Sequence, residues 1–329
     1  MINLTDYLYS GDTILKILKN YSTDLRAEAM RTHNQIDIAH SNFLIGYLEL
    51  LEHNDFLTSQ SQRIREFYKY MASTYPFLAF TLKGRIKSLV RTEEKFNAYI
   101  IEYIYDYYTE HHAYPSVMLL KEQVKRFHDL IAYRIVISLP KCHVKPGEDR
   151  ESLELKYLYE IANALPEFME QREFSAEPSG LDVTSSSSLM SDDVKPYYRD
   201  YIDKPRSSGY RSLHIVFYDN SARCHIEVQI RTQQMDDFAE IGYANHSTYE
   251  KQQEHERLRR TVIPIGSNPY FDDAYERVRD LEELDYSAVD VNLFGAVDRN
   301  IMNDSCGLVR GRLILPYEHL SRFQNDQID

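Results

Sequence analysis

No run of about 18 consecutive apolar residues occurs anywhere in this chain of 329 residues, so no transmembrane helix is expected. The opening MINLTDYLYSGD lacks a basic stretch followed by an apolar one, which predicts no secretory leader. Cysteine is scarce. Cys142, Cys224 and Cys306 lie too far apart for C-x-x-C metal spacing and are too few for an even disulfide framework, so a reducing cytosol is the expected setting. Two common phosphate loops, G-x-x-x-x-G-K-[ST] and G-x-G-x-x-G, are missing. Positive charge is also short: 38 Lys and Arg against 51 Asp and Glu leave a net charge of -13, which argues against nucleic-acid binding over the whole surface.

What remains describes a soluble globular protein. Hydrophobic residues make up 43% and charged ones 27%, enough for a sizeable core in one large domain with an appendage, or in two domains. The acidic excess is uneven, because residues 262–329 hold 13 Asp and Glu against 6 Lys and Arg. Lys83, Arg85, Lys87, Arg91 and Lys95, by contrast, fall close together. A basic pocket in an acidic protein suits a small polyanion such as a nucleotide, although Lys83 and Arg91 also fit a solvated helix face.

Residues 1–75 read as helical, with apolar residues at mixed i+3 and i+4 spacing as far as Tyr75-Pro76. FLAFTLKGRIKS predicts a strand, KFNAYIIEYIYDYYTE a tyrosine-rich packing helix, VMLLKEQVKRFHDL a helix and YRIVISL a buried strand. Between Pro140 and Pro196 the chain reads as less ordered. It holds one amphipathic helix, LKYLYEIANALPEFMEQ, and a serine tract at 184–188 expected to be a mobile surface insertion. TQQMDDFAEIGYANHSTYEKQQEHERLRR predicts a helix, DDAYERVRDLEEL an acidic one and GLVRGRLILP a strand.

The stretch from Asp200 to Thr232 carries the strongest chemical signal. DYIDKPRSSGYRSLH clusters Lys204, Arg206, Tyr210, Arg211 and His214 around a turn at 205–209. After the strand SLHIVFYD, the run IEVQIRT puts Glu227, Gln229 and Arg231 on alternate positions, hence on one face of a strand, with Val228 and Ile230 on the other. Any half-exposed strand alternates in this way, so the pattern alone leaves a structural role open.

Four segments, in order, resemble the synthetase domain of the RelA/SpoT family, the enzymes that make guanosine tetra- and pentaphosphate. They are GRIKSLVRTEEK, DLIAYRIV, the DYI…P…GYRSLH stretch, and E-V-Q-I-R-T with Ala239-Glu240, Gly242, Ala244 and His246. The resemblance covers residues 76 to about 261, between a helical region at 1–75 and an acidic accessory segment at 262–329. It implies a mixed α/β fold similar to the nucleotidyltransferases, with a central sheet of about five strands flanked by helices.

The reaction so implied moves pyrophosphate from ATP to the 3′-hydroxyl of GTP or GDP and releases AMP, with Mg2+ as cofactor. By resemblance, Asp129 and Glu227 are the catalytic carboxylates and metal ligands, and Glu227 is also a candidate general base. Arg85 and Arg134 stack on adenine, while Lys87, Ser88 and Lys95 complete the ATP contacts. Tyr210 is the platform for the acceptor base; Lys204, Arg206, Arg211 and His214 hold acceptor phosphates. Gln229 and Arg231 either join them or orient Glu227.

Departures lie mainly on the acceptor side, at Arg206-Ser207-Ser208, Ser247 and Glu250, with Ala132 replacing a family glycine and Arg91 a serine. They leave open a toxin-type relative that modifies the 3′ end of tRNA, with Lys251, Arg257, Arg259 and Arg260 as extra basic surface. An inactive nucleotide sensor is the third reading, opposed by the presence of both Asp129 and Glu227. His128-Asp129 is a lone HD pair, so no alarmone hydrolase is expected. Self-association is left open, and no membrane partner is implied.

Overall fold

The computed structural model describes the chain except for residues 53, 88, 125–129, 181–184, 206–208, 242–267, 286–287, 290–311 and 315–329. In chain order the helices are α1 (Ile14–Thr32), α2 (Gln35–Glu52), α3 (Asn54–Thr74), α4 (Leu89–His111), α5 (Val117–Val124), α6 (Arg150–Glu170), α7 (Gln233–Ile241) and α8 (Pro269–Glu282). The strands are β1 (Ala79–Lys87), β2 (Ile131–Ser138), β3 (Phe174–Glu177), β4 (Tyr198–Asp200), β5 (Leu213–Asp219), β6 (Cys224–Thr232) and β7 (Arg312–Ile314). Two compact units result, neither continuous in sequence.

Unit 1 comprises Met1–Ser59, Arg85–Phe127 and Arg260–Pro316 and is mostly helical. Thr13 caps α1 by accepting from the Lys16 amide, and His33 ends it in the left-handed region at φ 57. Asn268 caps α8 by accepting from the Tyr270 and Phe271 amides, with Pro269 in the first turn, where its missing N–H costs nothing. The apolar stripes of α1 and α2 face each other, as do those of α4 and α8.

Charged groups lie inside this bundle. Arg277 donates two 2.8 Å bonds to buried Asp37, and the Tyr21 hydroxyl donates to Glu93 at 2.7 Å. Burial pushes the Glu93 carboxyl up, but the His40 imidazole beside it and the Arg277 charge outweigh that and hold it below the ordinary range. In the same unit the end of β1 pairs antiparallel with β7, Arg85 opposite Ile314 and Lys87 opposite Arg312.

Unit 2 comprises Gln60–Gly84, His128–Arg259 and Tyr317–Asp329. Its strands follow the order β3-β5-β6-β2-β1, with β4 beside β5 off that path. The sheet is mixed: β2 and β6 run parallel, whereas β5 is antiparallel to β6, β3 and β4. This is the mixed α/β architecture expected from the sequence.

One face is apolar. Ile131, Ile135 and Ile137 of β2, Ile226, Val228 and Ile230 of β6, and Leu213, Ile215 and Phe217 of β5 are all buried. Helix α6 packs on this sheet through Leu158, Ile161, Ala162 and Leu165, and Tyr198 donates from β4 to the Ala162 carbonyl at 2.6 Å. Each such aliphatic side chain contributes roughly 1.5–3 kcal/mol by leaving water. Asp149 caps α6 by accepting from the Ser152 amide at 2.9 Å.

Two expectations change here. The region from Pro140 to Pro196 supplies the expected helix as α6 but also the strand β3, which, like β4 just beyond it, is too brief to stand out by pattern and exists through pairing with β5. From Ser185 onward the serine tract is built in and is not a loose insertion. Ser185 is buried and donates to Asp200 at 2.5 Å, and Ser186 donates its amide and hydroxyl to Asp203 at 2.8 and 2.7 Å.

Candidate functional site

The polar face of the unit 2 sheet follows from register. β6 alternates, so Ile226, Val228 and Ile230 turn inward and Glu227, Gln229 and Arg231 turn to the opposite face. Antiparallel pairing sets His214 of β5 opposite Gln229, and parallel pairing sets Arg134 of β2 beside the same residue. Residues paired across a ladder share a face, so Arg134, His214, Glu227, Gln229 and Arg231 gather on one surface.

His214, Glu227, Gln229 and Arg231 form a closed hydrogen-bonded ring with Tyr210. Gln229 Nε2 donates to Glu227 Oε2 at 2.7 Å, and Arg231 Nη2 donates to Gln229 Oε1 at 2.9 Å. The same Arg231 nitrogen donates to the Tyr210 hydroxyl, which lies 2.9 Å from His214 Nε2. His214 Nδ1 lies 3.1 Å from Glu227 Oε1 and closes the ring. The Arg231 guanidinium also lies 4.8 Å from the centre of the Tyr210 ring, and Tyr201 meets the His214 ring edge-on at 5.0 Å.

Arg231 is only 3% exposed, and a guanidinium so buried needs a countercharge. Asp236, on the first turn of α7, provides it. Its Oδ1 accepts from Arg231 Nη1 at 3.1 Å and from Arg134 Nη1 at 3.0 Å. Sequence reasoning missed Asp236; the available signal was an acidic residue in the first turn of the helix that follows Arg231.

The loop before β5 is organised by Asp200. Its Oδ1 accepts the Ile202 and Asp203 amides at 2.9 Å, and its Oδ2 accepts from Tyr159 at 2.9 Å and from Ser185. The phenol of Tyr159 is pushed up by burial and by that carboxylate. At the far end of the loop Gly209 takes φ +77, a conformation that favours glycine, and a Cβ there would meet Phe238 Cζ at 3.3 Å.

Lys204 is exposed, and Arg211 is half-buried with Nη1 3.8 Å from Glu151. In unit 1, Lys87 is half-buried with its carbonyl accepting from Tyr47 at 2.9 Å, and Lys95 Nζ lies 5.1 Å from the centre of the Tyr99 ring. Arg85 has a strand position opposite Ile314. Asp129, Ser88, Arg206 and the residues from Gly242 to Arg260 lie outside the described residues.

Among the described residues no group of three His, Cys, Asp or Glu side chains is placed to hold a metal ion. Glu227 by itself is a suitable hard donor, a carboxylate 13% exposed and held by two neighbours. No helix among the described residues is long and apolar enough to cross a membrane. Cys142 and Cys224 are free thiols, the latter pushed up to about 12 by burial.

Residues 182–254 match the family described as "Region found in RelA / SpoT proteins". A protein named GTP pyrophosphokinase rsh, from Brucella ovis, is 48% identical over 52 residues, 16% of this chain and 7% of that protein. The GTP pyrophosphokinase of Haemophilus influenzae is 46% identical over 54 residues, again 16% of this chain and 7% of the relative. The matched segment is thus a small part of those curated relatives. A crystal structure of small alarmone synthetase 1 from Bacillus subtilis, bound to its product pppGpp, overlaps 74% of this chain and 93% of its own. Its identity is 21% and its TM-score 0.30, too loose an overlap to bear on the fold.

Proposed function

We propose that this chain, whose residues 182–254 are a region found in RelA/SpoT proteins, transfers pyrophosphate from ATP to the 3′-hydroxyl of GTP or GDP. The observation that carries this reading is the Glu227 carboxylate, held on a polar sheet face by His214 and Gln229 within the matched segment. The names of the Brucella and Haemophilus relatives support the same reaction.

In the reaction the acceptor 3′-oxygen bonds to the β-phosphorus, the bond from the α-phosphate bridge breaks, and AMP leaves with the electron pair. Glu227 takes the hydroxyl proton as general base. Arg85 and Arg134, the latter oriented by Asp236, stack on the adenine, and Lys87, Ser88 and Lys95 complete the ATP contacts. Tyr210 presents its ring to the acceptor base, while Lys204, Arg206, Arg211 and His214 serve the acceptor phosphates. A divalent cation, magnesium in this reading, would be held by Asp129 and Glu227 and would neutralise the phosphates. The catalytic region is residues 76–261, working in the cytosol.

Pure protein incubated with ATP labelled in its terminal phosphates and with GTP, GDP or tRNA in separate reactions tests the proposal. Label should appear on the guanosine nucleotide with release of AMP, and Glu227→Gln should retain less than about a tenth of the turnover. Transfer to tRNA alone, or to no acceptor at all, would overturn it.

A further inference from the structure

The ring around Glu227 has a direction. A guanidinium can only donate, so the Tyr210 hydroxyl accepts from Arg231. That hydroxyl has one proton left and lies 2.9 Å from His214 Nε2, which accepts it when Nδ1 is the donor, as it must be against Glu227, a carboxylate that can only accept. A neutral imidazole then carries its proton on Nδ1, which faces Glu227 Oε1 at 3.1 Å and donates to it. The second arm is just as constrained. Gln229 accepts from Arg231 on Oε1, so its amide nitrogen points at Glu227 Oε2. Both arms start on Arg231 and end on the two oxygens of one carboxylate.

Everything in this chain depends on where Arg231 points. Besides Gln229 and Tyr210, it donates Nε to Ser212 at 3.3 Å and Nη1 to Asp236 at 3.1 Å. Asp236 is the only carboxylate among these partners, and it is 3% exposed. Its second cation, Arg134, ties the same oxygen to β2. One carboxylate on α7 thus holds the guanidinium groups of two adjacent strands.

We propose that Asp236 is a positioning residue for Glu227: it anchors Arg231, and Arg231 imposes the His214 tautomer and the Gln229 orientation that present both Glu227 oxygens. Asp236 touches neither substrate nor reacting atom in this scheme. His214 is then a member of the protein's own donor chain, with both ring nitrogens occupied, so on this inference it holds Glu227 instead of an acceptor phosphate. The catalytic part of the inference rests on the proposed pyrophosphate transfer, but the hydrogen-bonding part does not.

Nitrogen NMR of the histidine side chains in the full chain, with the His214 signal assigned through His214→Gln, tests it without any substrate. At mildly alkaline pH the parent should show His214 as the Nδ1–H tautomer. Asp236→Asn should fold with the parent's circular dichroism, shift His214 toward a mixture of tautomers, and lower kcat by about 10- to 100-fold, the range for residues that orient a catalytic ligand. Asp236→Glu, which keeps the charge, should recover part of both. A parent His214 in the Nε2–H form overturns the donor chain whatever the variants do. An Asp236→Asn protein with the parent's His214 signal overturns the anchoring role. If Asp236→Asn fails to fold, Arg231→Lys is read in the same way, since one ammonium cannot serve both arms. Should the parent transfer no pyrophosphate at all, the proposed function fails while the His214 signal still decides the positioning role.

Discussion

Tyr210 brings together an aromatic ring and a hydroxyl, which the proposed reaction and the hydrogen-bonded ring use separately. In the proposed reaction the ring is a stacking platform, a role phenylalanine would fill equally well. The hydroxyl, however, accepts from Arg231 and meets His214 Nε2 at 2.9 Å, so its removal deprives two partners of a bond. Leaving such groups unsatisfied costs about 1–3 kcal/mol. Tyr210→Phe is therefore expected to lower kcat about tenfold while the acceptor KM moves less than about threefold. Tyr210→Ala should lose acceptor use as well, because base stacking is worth about 1–3 kcal/mol. Steady-state kinetics with ATP held saturating separates the two, and a phenylalanine variant as fast as the parent would show the hydroxyl to be idle.

At the scale of elements, the site depends on a loop and a helix meeting beside β6. Asp200 folds the start of the loop through its turn with Ile202 and Asp203, and Gly209 ends it in a left-handed conformation against Phe238 of α7. A non-glycine residue in that conformation costs about 1–2 kcal/mol, and the added methyl also crowds the Phe238 ring. Gly209→Ala should displace the neighbouring Tyr210 more than it destabilises the domain. The expected result is a rise in acceptor KM of about fivefold or more, with ATP affinity by calorimetry close to that of the parent. Equal KM values in the two proteins would mean that the loop absorbs the methyl without moving Tyr210.

At the scale of the whole molecule, unit 1 carries a charge pair where helices usually bury apolar groups. Arg277 of α8 forks onto Asp37 of α2 with two 2.8 Å bonds, and both side chains are largely out of water. Removing one member strands the other, at a cost of about 3–5 kcal/mol, whereas replacing both with apolar residues is often neutral or better. Arg277→Met should lower the denaturant midpoint of the full chain markedly, and adding Asp37→Leu should restore most of the loss. A single variant that unfolds at the parent's denaturant concentration would show that water reaches Asp37.

The local pattern was legible wherever a segment satisfies its own requirements. The 3.6-residue spacing before Pro76 marks helices before their packing partners are known, and the two-residue alternation of IEVQIRT puts Glu227, Gln229 and Arg231 on one face before any partner strand is known. β3 and β4 had no such signature, because four and three residues hold as strands only when β5 is there to pair with them. The same holds for the chemistry. Sequence named His214, Tyr210 and Glu227 separately, but their ring closes only because the β5–β6 register sets His214 opposite Gln229. Asp236 gained its role from α7 turning back over β2 and β6, which brings one carboxylate to arginines 102 and 5 residues away. Side-chain direction is a property of a strand, whereas hydrogen-bond partnership depends on register and packing between strands, and only the folded chain decides those.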